Sequence, residues 1–334
     1  MIPKKVREIL EKQHYAIVGE HSAVQICKWT KSSLNGKDGC WKEKFYGIKS
    51  HRCCQFSPAV MWCENQCLHC WRPIEMNLGM QLKKIDNPKE ILDGIIKARK
   101  KLLLGFKGNK NTSEKKFEEA MKPTLFTLSL SGEPTLYPQL DEMIKEIKKR
   151  KAISFLVTNG QNPEVIKRLM KNNALPTQLT ISVNTPNKRL FEIWHRSKKQ
   201  DSWKRFNESL EIIKSLKGKT RRVIRLTLVK QSNEKGKYEN LSNMKDEYIE
   251  QYAKLIEKAE PDFIHVKGFK SLGYSRKRFS YSKQPFHEDV KKFAEKLMKK
   301  LKKSGYKILA EERRSCVVLL GKDKSKMKIC QKEI

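Results

Sequence analysis

Cys63-Glu64-Asn65-Gln66-Cys67-Leu68-His69-Cys70 spaces three thiols as C-x3-C-x2-C. Ligands so close in sequence belong on one loop around one inorganic centre. Three thiolates suit an iron–sulfur cube, each cysteine taking one iron while the fourth iron stays open. Structural zinc asks instead for four closed ligands, usually as two spaced pairs, and that pairing is absent. Disulfides, the other use of clustered cysteines, belong to oxidising compartments. The N-terminus, from Met1 to Leu10, reads as an amphipathic helix and lacks the apolar stretch and cleavage site of a secretion signal. No apolar run approaches a membrane span. The chain is therefore expected in the cytoplasm, with reduced thiols and no membrane contact.

Around this loop, short apolar runs alternate with helical patterns. Pro58–Trp62 leads into the cysteines as a first strand. It is followed by Thr124–Ser131, Ala152–Thr158, Gln178–Val183, Val223–Val229 and Phe263–Val266. Helical spacing marks the segment opened by Asn87-Pro88-Lys89-Glu90, which carries a cap, a first-turn proline and an acid. Further helices fit Pro138–Arg150, Pro163–Asn172, Asp201–Leu216, Lys245–Lys258 and Glu288–Lys303. Strands alternating with helices predict an α/β fold with a parallel sheet and right-handed crossovers. Six units suit a partial (βα)6 TIM-like barrel, with its site at the C-terminal ends of the strands. The segment 107–122 reads as a mobile polar insertion, and Lys307–Glu311 with Ser315–Leu320 as a closing hairpin. The expected division is an extension over 1–55, the barrel over 56–284 and C-terminal additions over 285–334.

Charge narrows the partners. Lys and Arg number 72 against 37 Asp and Glu, a net +35. A thermophile's charged surface would be nearly balanced in sign. An excess of this size points to a polyanion, and nucleic acid is the obvious one. The segment 267–285 interleaves Lys270, Arg276, Lys277 and Arg278 with Phe269, Tyr274, Phe279 and Tyr281, a mixture suited to phosphates and splayed RNA bases. These four cations are the expected RNA contacts.

Three strand ends add to the cysteine signal. Ser131-Gly132-Glu133 follows the second strand, where a glycine allows close backbone approach and a carboxylate can accept from a ligand ammonium. Thr158-Asn159 and Ser182-Val183-Asn184 follow the next two strands. With C-x3-C-x2-C upstream, the pattern resembles radical S-adenosylmethionine (SAM) enzymes, with Ser131 where that family commonly has a first glycine. The resemblance implies a [4Fe–4S] cluster on Cys63, Cys67 and Cys70. It also implies that Ser131, Gly132, Glu133, Thr158, Asn159, Ser182 and Asn184 surround SAM. His69 stands where the family usually carries an aromatic, and an imidazole can still pack on adenine.

Cys27, Cys40 and Cys53 form a second, widely spaced set, with Cys54 as an alternative to Cys53. Buried apolar thiols are the bland reading, and Cys316 and Cys330 are assigned to it. Gly39-Cys40-Trp41-Lys42, Phe45-Tyr46-Gly47-Ile48, Ser50-His51-Arg52-Cys53, Met61-Trp62-Cys63 and Cys70-Trp71-Arg72-Pro73 resemble the archaeal tRNA 4-demethylwyosine synthases. That family makes a carbon–carbon-bonded tricycle from N1-methylguanosine 37 of tRNA-Phe and two carbons of pyruvate. The resemblance implies a second [4Fe–4S] cluster on Cys27, Cys40 and Cys53, and a Schiff base between Lys42 and pyruvate. It further implies an external ferredoxin- or flavodoxin-like one-electron donor, and a monomer is expected. An amine near a cationic cluster and desolvated by Trp41 is expected to have a lowered pKa. The rival readings are another radical SAM methylation or thiolation of RNA, or a non-catalytic metal-stabilised RNA-binding protein.

Overall fold

A computed structural model describes residues 1–232 and 236–333. Ten strands form one sheet in chain order except at its far edge, where the last two exchange places. They are β1 Ala16–Val18, β2 Ser22–Gln25, β3 Cys53–Ser57, β4 Leu125–Leu128, β5 Ile153–Thr158, β6 Gln178–Ser182, β7 Arg221–Leu228, β8 Phe263–Gly268, β9 Lys307–Glu312 and β10 Val317–Gly321. Strands β3 to β8 pair in parallel. These are the six strands of the expected partial barrel. Antiparallel pairs flank both sides: β2 runs against β3, and β10 runs against β8. Extension, barrel and C-terminal hairpin therefore share a continuous hydrogen-bonded sheet, and residue 55 lies inside β3.

The first barrel strand is earlier than Pro58–Trp62. It is Cys53–Ser57, and it stops where Pro58 offers no N–H to a neighbouring strand. Segment 58–62 instead packs Ala59, Val60, Met61 and Trp62 beneath the N-terminal helix Lys4–Lys12, with Ile2, Val6 and Leu10. The insertion 107–122 is not simply a mobile loop. Its second half is a helix, Glu114–Met121, capped by Ser113, with Phe117 and Ala120 buried against Ile26, Leu34 and Leu103.

Alternation along the parallel strands makes two layers. Outward residues such as Phe56, Phe126, Leu128, Leu156, Leu179, Ile181, Ile224, Leu226, Ile264 and Val266 pack against the surrounding helices. Burying one such side chain is worth roughly 1.5–3 kcal/mol, and this outer layer is the larger of the two. Inward, Leu125, Phe155, Val223 and Phe263 meet Trp41, Phe45 and Tyr46 of the short helix Trp41–Tyr46. That helix plugs the sheet's concave side, with the Tyr46 hydroxyl hydrogen-bonded to His265 Nε2.

Candidate active site

The cysteine loop is held from several directions. Gln66 N and Leu68 N donate to the carbonyls of His195 (2.9 Å) and Trp194 (3.0 Å), at the end of a helix, Lys188–His195, that the sequence reading missed. Trp194 Nε1 donates to His69 Nδ1 (2.7 Å), and His195 Nδ1 lies 3.1 Å from Cys67 Sγ. Arg278 donates to the carbonyls of Leu68 (3.0 Å), Cys70 and Arg72 (3.2 Å), and pairs with Glu75 at 2.9 Å. This corrects the expected RNA role of Arg278: its guanidinium is consumed by the loop, and its side chain is 7% exposed. Lys270 also turns inward, with Nζ 3.0 Å from Cys316 Sγ. Arg276 and Lys277 remain exposed, on the turn Gly273–Lys277.

Sulfur chemistry tests the cluster. Among the described residues no group of three His, Cys, Asp or Glu side chains is arranged to hold a metal ion by itself, so the fit rests on what surrounds the thiols. Burial pushes the Cys63 thiol up to about 12 and Cys67 well above its ordinary value. Buried thiols ionise only with a compensating cation. Arg72 is buried and donates from Nε to Cys70 Sγ (3.1 Å), while Asn159 Nδ2 approaches Cys63 Sγ at 3.8 Å. A buried guanidinium without a carboxylate partner among the described residues needs anionic sulfur. Three cysteinates sharing iron would supply it, so the residues fit the group.

The three strand-end motifs converge beside this loop. Gly132 has φ +74°, and a Cβ there would meet Ala59 O at 1.8 Å and Trp62 O at 2.8 Å, so only glycine fits. Glu133 N donates to Trp62 O (2.8 Å). The buried carboxylate accepts from Thr135 N (3.2 Å), Thr135 Oγ1 (2.7 Å) and Thr158 Oγ1 (2.7 Å) on one oxygen, and from Asn159 N (2.9 Å) on the other. Glu133 therefore staples the end of β4 to the end of β5. Only its second oxygen keeps capacity for a ligand ammonium. Next to it, burial and the charge of Glu133 raise buried Glu64 to about 7. Asn184 joins β6 to β7 by accepting from Thr227 N (3.1 Å), and its amide lies 3.4 Å from His69 Nε2. Ser182 Oγ accepts from Arg225 (3.3 Å).

The second cysteine set also converges. Cys27 and Cys40 each stand just before a helix, Lys28–Leu34 and Trp41–Tyr46. Ser50 ties them together: its carbonyl accepts from Thr30 Oγ1 (3.0 Å), and its hydroxyl accepts from Cys40 N (2.7 Å). Cys53 begins β3 facing inward. Cys54 faces outward into the apolar layer, and burial raises its thiol to about 12. Arg99, buried and unforeseen, donates to the carbonyls of His51 (2.7 Å) and Cys53 (3.2 Å). Lys42 Nζ lies 3.4 Å from both Cys53 Sγ and Thr127 Oγ1. Burial lowers its pKa, but the neighbouring sulfurs of Cys53, Cys40 and Cys27 outweigh that and bring it up to about 12. The expected lowering is therefore not a property of the metal-free chain. Of the two remaining cysteines, Cys316 is buried as expected, whereas Cys330 is exposed.

The comparisons agree with this geometry. The radical SAM superfamily pattern matches residues 58–241, and a wyosine base formation pattern matches residues 258–322. The S-adenosyl-L-methionine-dependent tRNA 4-demethylwyosine synthase of Pyrococcus horikoshii is 44% identical over 323 residues, covering 96% of this chain and 90% of that protein. A protein of the same name from Oryza sativa is 40% identical, over 98% of this chain and 48% of its own length. A solved structure of TYW1 with a lysine–pyruvate adduct bound superposes with a TM-score of 0.81 at 33% identity, covering 99% of both chains.

Proposed function

Because the chain belongs to the tRNA 4-demethylwyosine synthases of the radical SAM superfamily, we propose that it builds the wyosine tricycle on N1-methylguanosine 37 of tRNA-Phe from two carbons of pyruvate, with Lys42 binding the keto acid. It is a SAM-dependent enzyme of tRNA wyosine-base formation, and it uses an iron–sulfur cluster. On the proposed reading Cys63, Cys67 and Cys70 hold one [4Fe–4S] cluster and Cys27, Cys40 and Cys53 a second. Bound there, the first would supply the one-electron chemistry that SAM cleavage requires.

The observation that carries the Lys42 assignment is its place. In a chain with 72 Lys and Arg, this amine reaches the second sulfur set from inside the barrel, beside Thr127 and 5.7 Å from the Phe155 ring. The relative's lysine–pyruvate adduct supports the same chemistry. Condensation needs the neutral amine: nitrogen attacks the ketone carbon, the oxygen leaves as water, and a C=N bond remains. Buried Trp41, next in sequence to Lys42, and buried Phe155 beside its amine would limit the water that reverses the step. Ser131, Gly132, Glu133, Thr158, Asn159, Ser182 and Asn184 are proposed to surround SAM. Arg276 and Lys277, flanked by Tyr274 and Tyr281, would meet tRNA phosphates at the rim. The reading includes an external ferredoxin- or flavodoxin-like electron donor and a monomer. It also places the protein in the cytoplasm, where nine unpaired cysteines stay reduced.

Lys42→Arg tests the assignment, because a guanidinium keeps the charge but is not a nucleophile. The variant should bind both clusters and tRNA and cleave SAM, yet make no tricyclic nucleoside by mass spectrometry. Borohydride with pyruvate should add mass to the Lys42 peptide of the wild type alone. Near-normal product from the variant would remove Lys42 from the chemistry.

A further inference from the structure

The inner faces of β3 to β8 are unbalanced in charge. Their inward positions carry Arg221, Arg225 and Lys267 and no Asp or Glu. Arg221 is neutralised at the closed end, with Glu333 at 2.9 Å. Arg225 and Lys267 have no carboxylate within ion-pair distance among the described residues. Arg225 has one hydrogen-bond partner there, Ser182 Oγ at 3.3 Å, and its Nε is shielded from solvent with none. Lys267 lies two positions beyond His265, which pairs in register with Arg225, and its Nζ sits 5.8 Å from the Trp41 ring. Trp41 packs edge-on against His265, with centroids 4.6 Å apart. Burial and the combined charges of Arg225, Lys267, Arg221 and Lys42 hold His265 well below its usual range. Arg225, His265 and Lys267 therefore share the inner face of β7 and β8, and Lys42, held against Cys53 of β3 and Thr127 of β4, lies across the hollow of the sheet from them. Both Arg225 and Lys267 are only partly covered by protein. Their open portions admit a ligand, while the covered donor Arg225 Nε lacks a partner, and a guanidinium presents paired donors that match a carboxylate.

We infer that Arg225, assisted by Lys267, is the carboxylate subsite that binds the keto acid and orients its ketone toward Lys42. The inference rests on Lys42 being the keto-acid residue, but its noncovalent part can be read separately. SAM also carries a carboxylate, and Ser182 lies beside Arg225, so both ligands must be measured. Equilibrium dialysis of radiolabelled pyruvate, and separately of SAM, would use the reconstituted protein and its Arg225→Met and Lys267→Met variants, with iron content reporting the fold. Losing charge-assisted bonds to a carboxylate should weaken pyruvate binding at least about tenfold in Arg225→Met. Lys267→Met should weaken it by a smaller factor, and SAM binding should change little in either. Borohydride trapping at Lys42 is run in parallel. Arg225-dependent dialysis without trapping would keep the subsite and reject the Schiff base. Overturning results are pyruvate binding that is undetectable in the wild type or unchanged in both variants, and weakening confined to SAM. Should Arg225→Met lose iron, the Lys267→Met result decides.

Discussion

Arg278→Ala separates two uses of a cation that sequence alone cannot distinguish. In the structure this side chain bonds the carbonyls of Leu68, Cys70 and Arg72. Its pair with exposed Glu75 adds little. A hydrogen bond from a charged donor is worth roughly 1.5–3 kcal/mol, less where water can replace it. Three such bonds, two of them spanning the third cysteine, put the cost of truncation at about 2 to 5 kcal/mol for the loop. That is enough to leave the loop mostly unclamped. On the proposed two-cluster reading, iron in reconstituted protein should then fall from about eight toward about four per chain. SAM cleavage without tRNA should drop by more than about tenfold. The slope of log K for tRNA against log salt should stay within about one phosphate of wild type. The double change Arg276→Ala and Lys277→Ala should do the reverse, lowering affinity and slope with full iron. The clamp reasoning fails if Arg278→Ala keeps its iron and tRNA-free SAM cleavage but flattens the salt slope.

Gly132→Ala forces a Cβ against Ala59 O and adds about 1 kcal/mol for its positive φ. Thermal melting should show lower stability and dialysis weaker SAM binding, and normal values for both would contradict the close approach. Replacing Cys63, Cys67 and Cys70 together should halve the iron and abolish SAM cleavage. Replacing Cys27, Cys40 and Cys53 should halve the iron while leaving some cleavage, and four irons in the intact protein would count against the second cluster.

The parallel sheet was legible because its strands are short apolar runs between helices of clear apolar periodicity, and five of them fall within the predicted runs or within two residues of them. The first was displaced because 58–62 is as apolar as a strand, and its burial under the N-terminal helix is tertiary. The helix Lys188–His195 left a readable trace in Asn187, whose side chain caps Leu190 N at 2.9 Å. Its apolar residues span only two turns, too short for periodicity to register. The cysteines and strand-end polar residues could be picked out by spacing. Their supports could not: Arg72, Arg99, Arg278 and His195 reach across 2 to 210 residues of sequence, and nothing local distinguishes an inward cation from a solvated one. Alternation from Cys53 to Cys54 meant that at most one could face inward, but which one depends on the barrel's curvature.

The helix Trp41–Tyr46 has a consequence for maturation. Its six residues fill the hollow of the sheet through Trp41, Phe45 and Tyr46, follow directly on Cys40, and include Lys42. Lys44 Nζ donates to Glu311 O, and Ile329 N donates to Tyr46 O, so the C-terminal hairpin and tail dock on it as well. Sealing of the hollow, positioning of the amine and docking of the hairpin therefore depend on one short helix. On the proposed reading, in which Cys40 is also a cluster ligand, metal binding would steady the same helix on which the hairpin and the 327–330 segment rest.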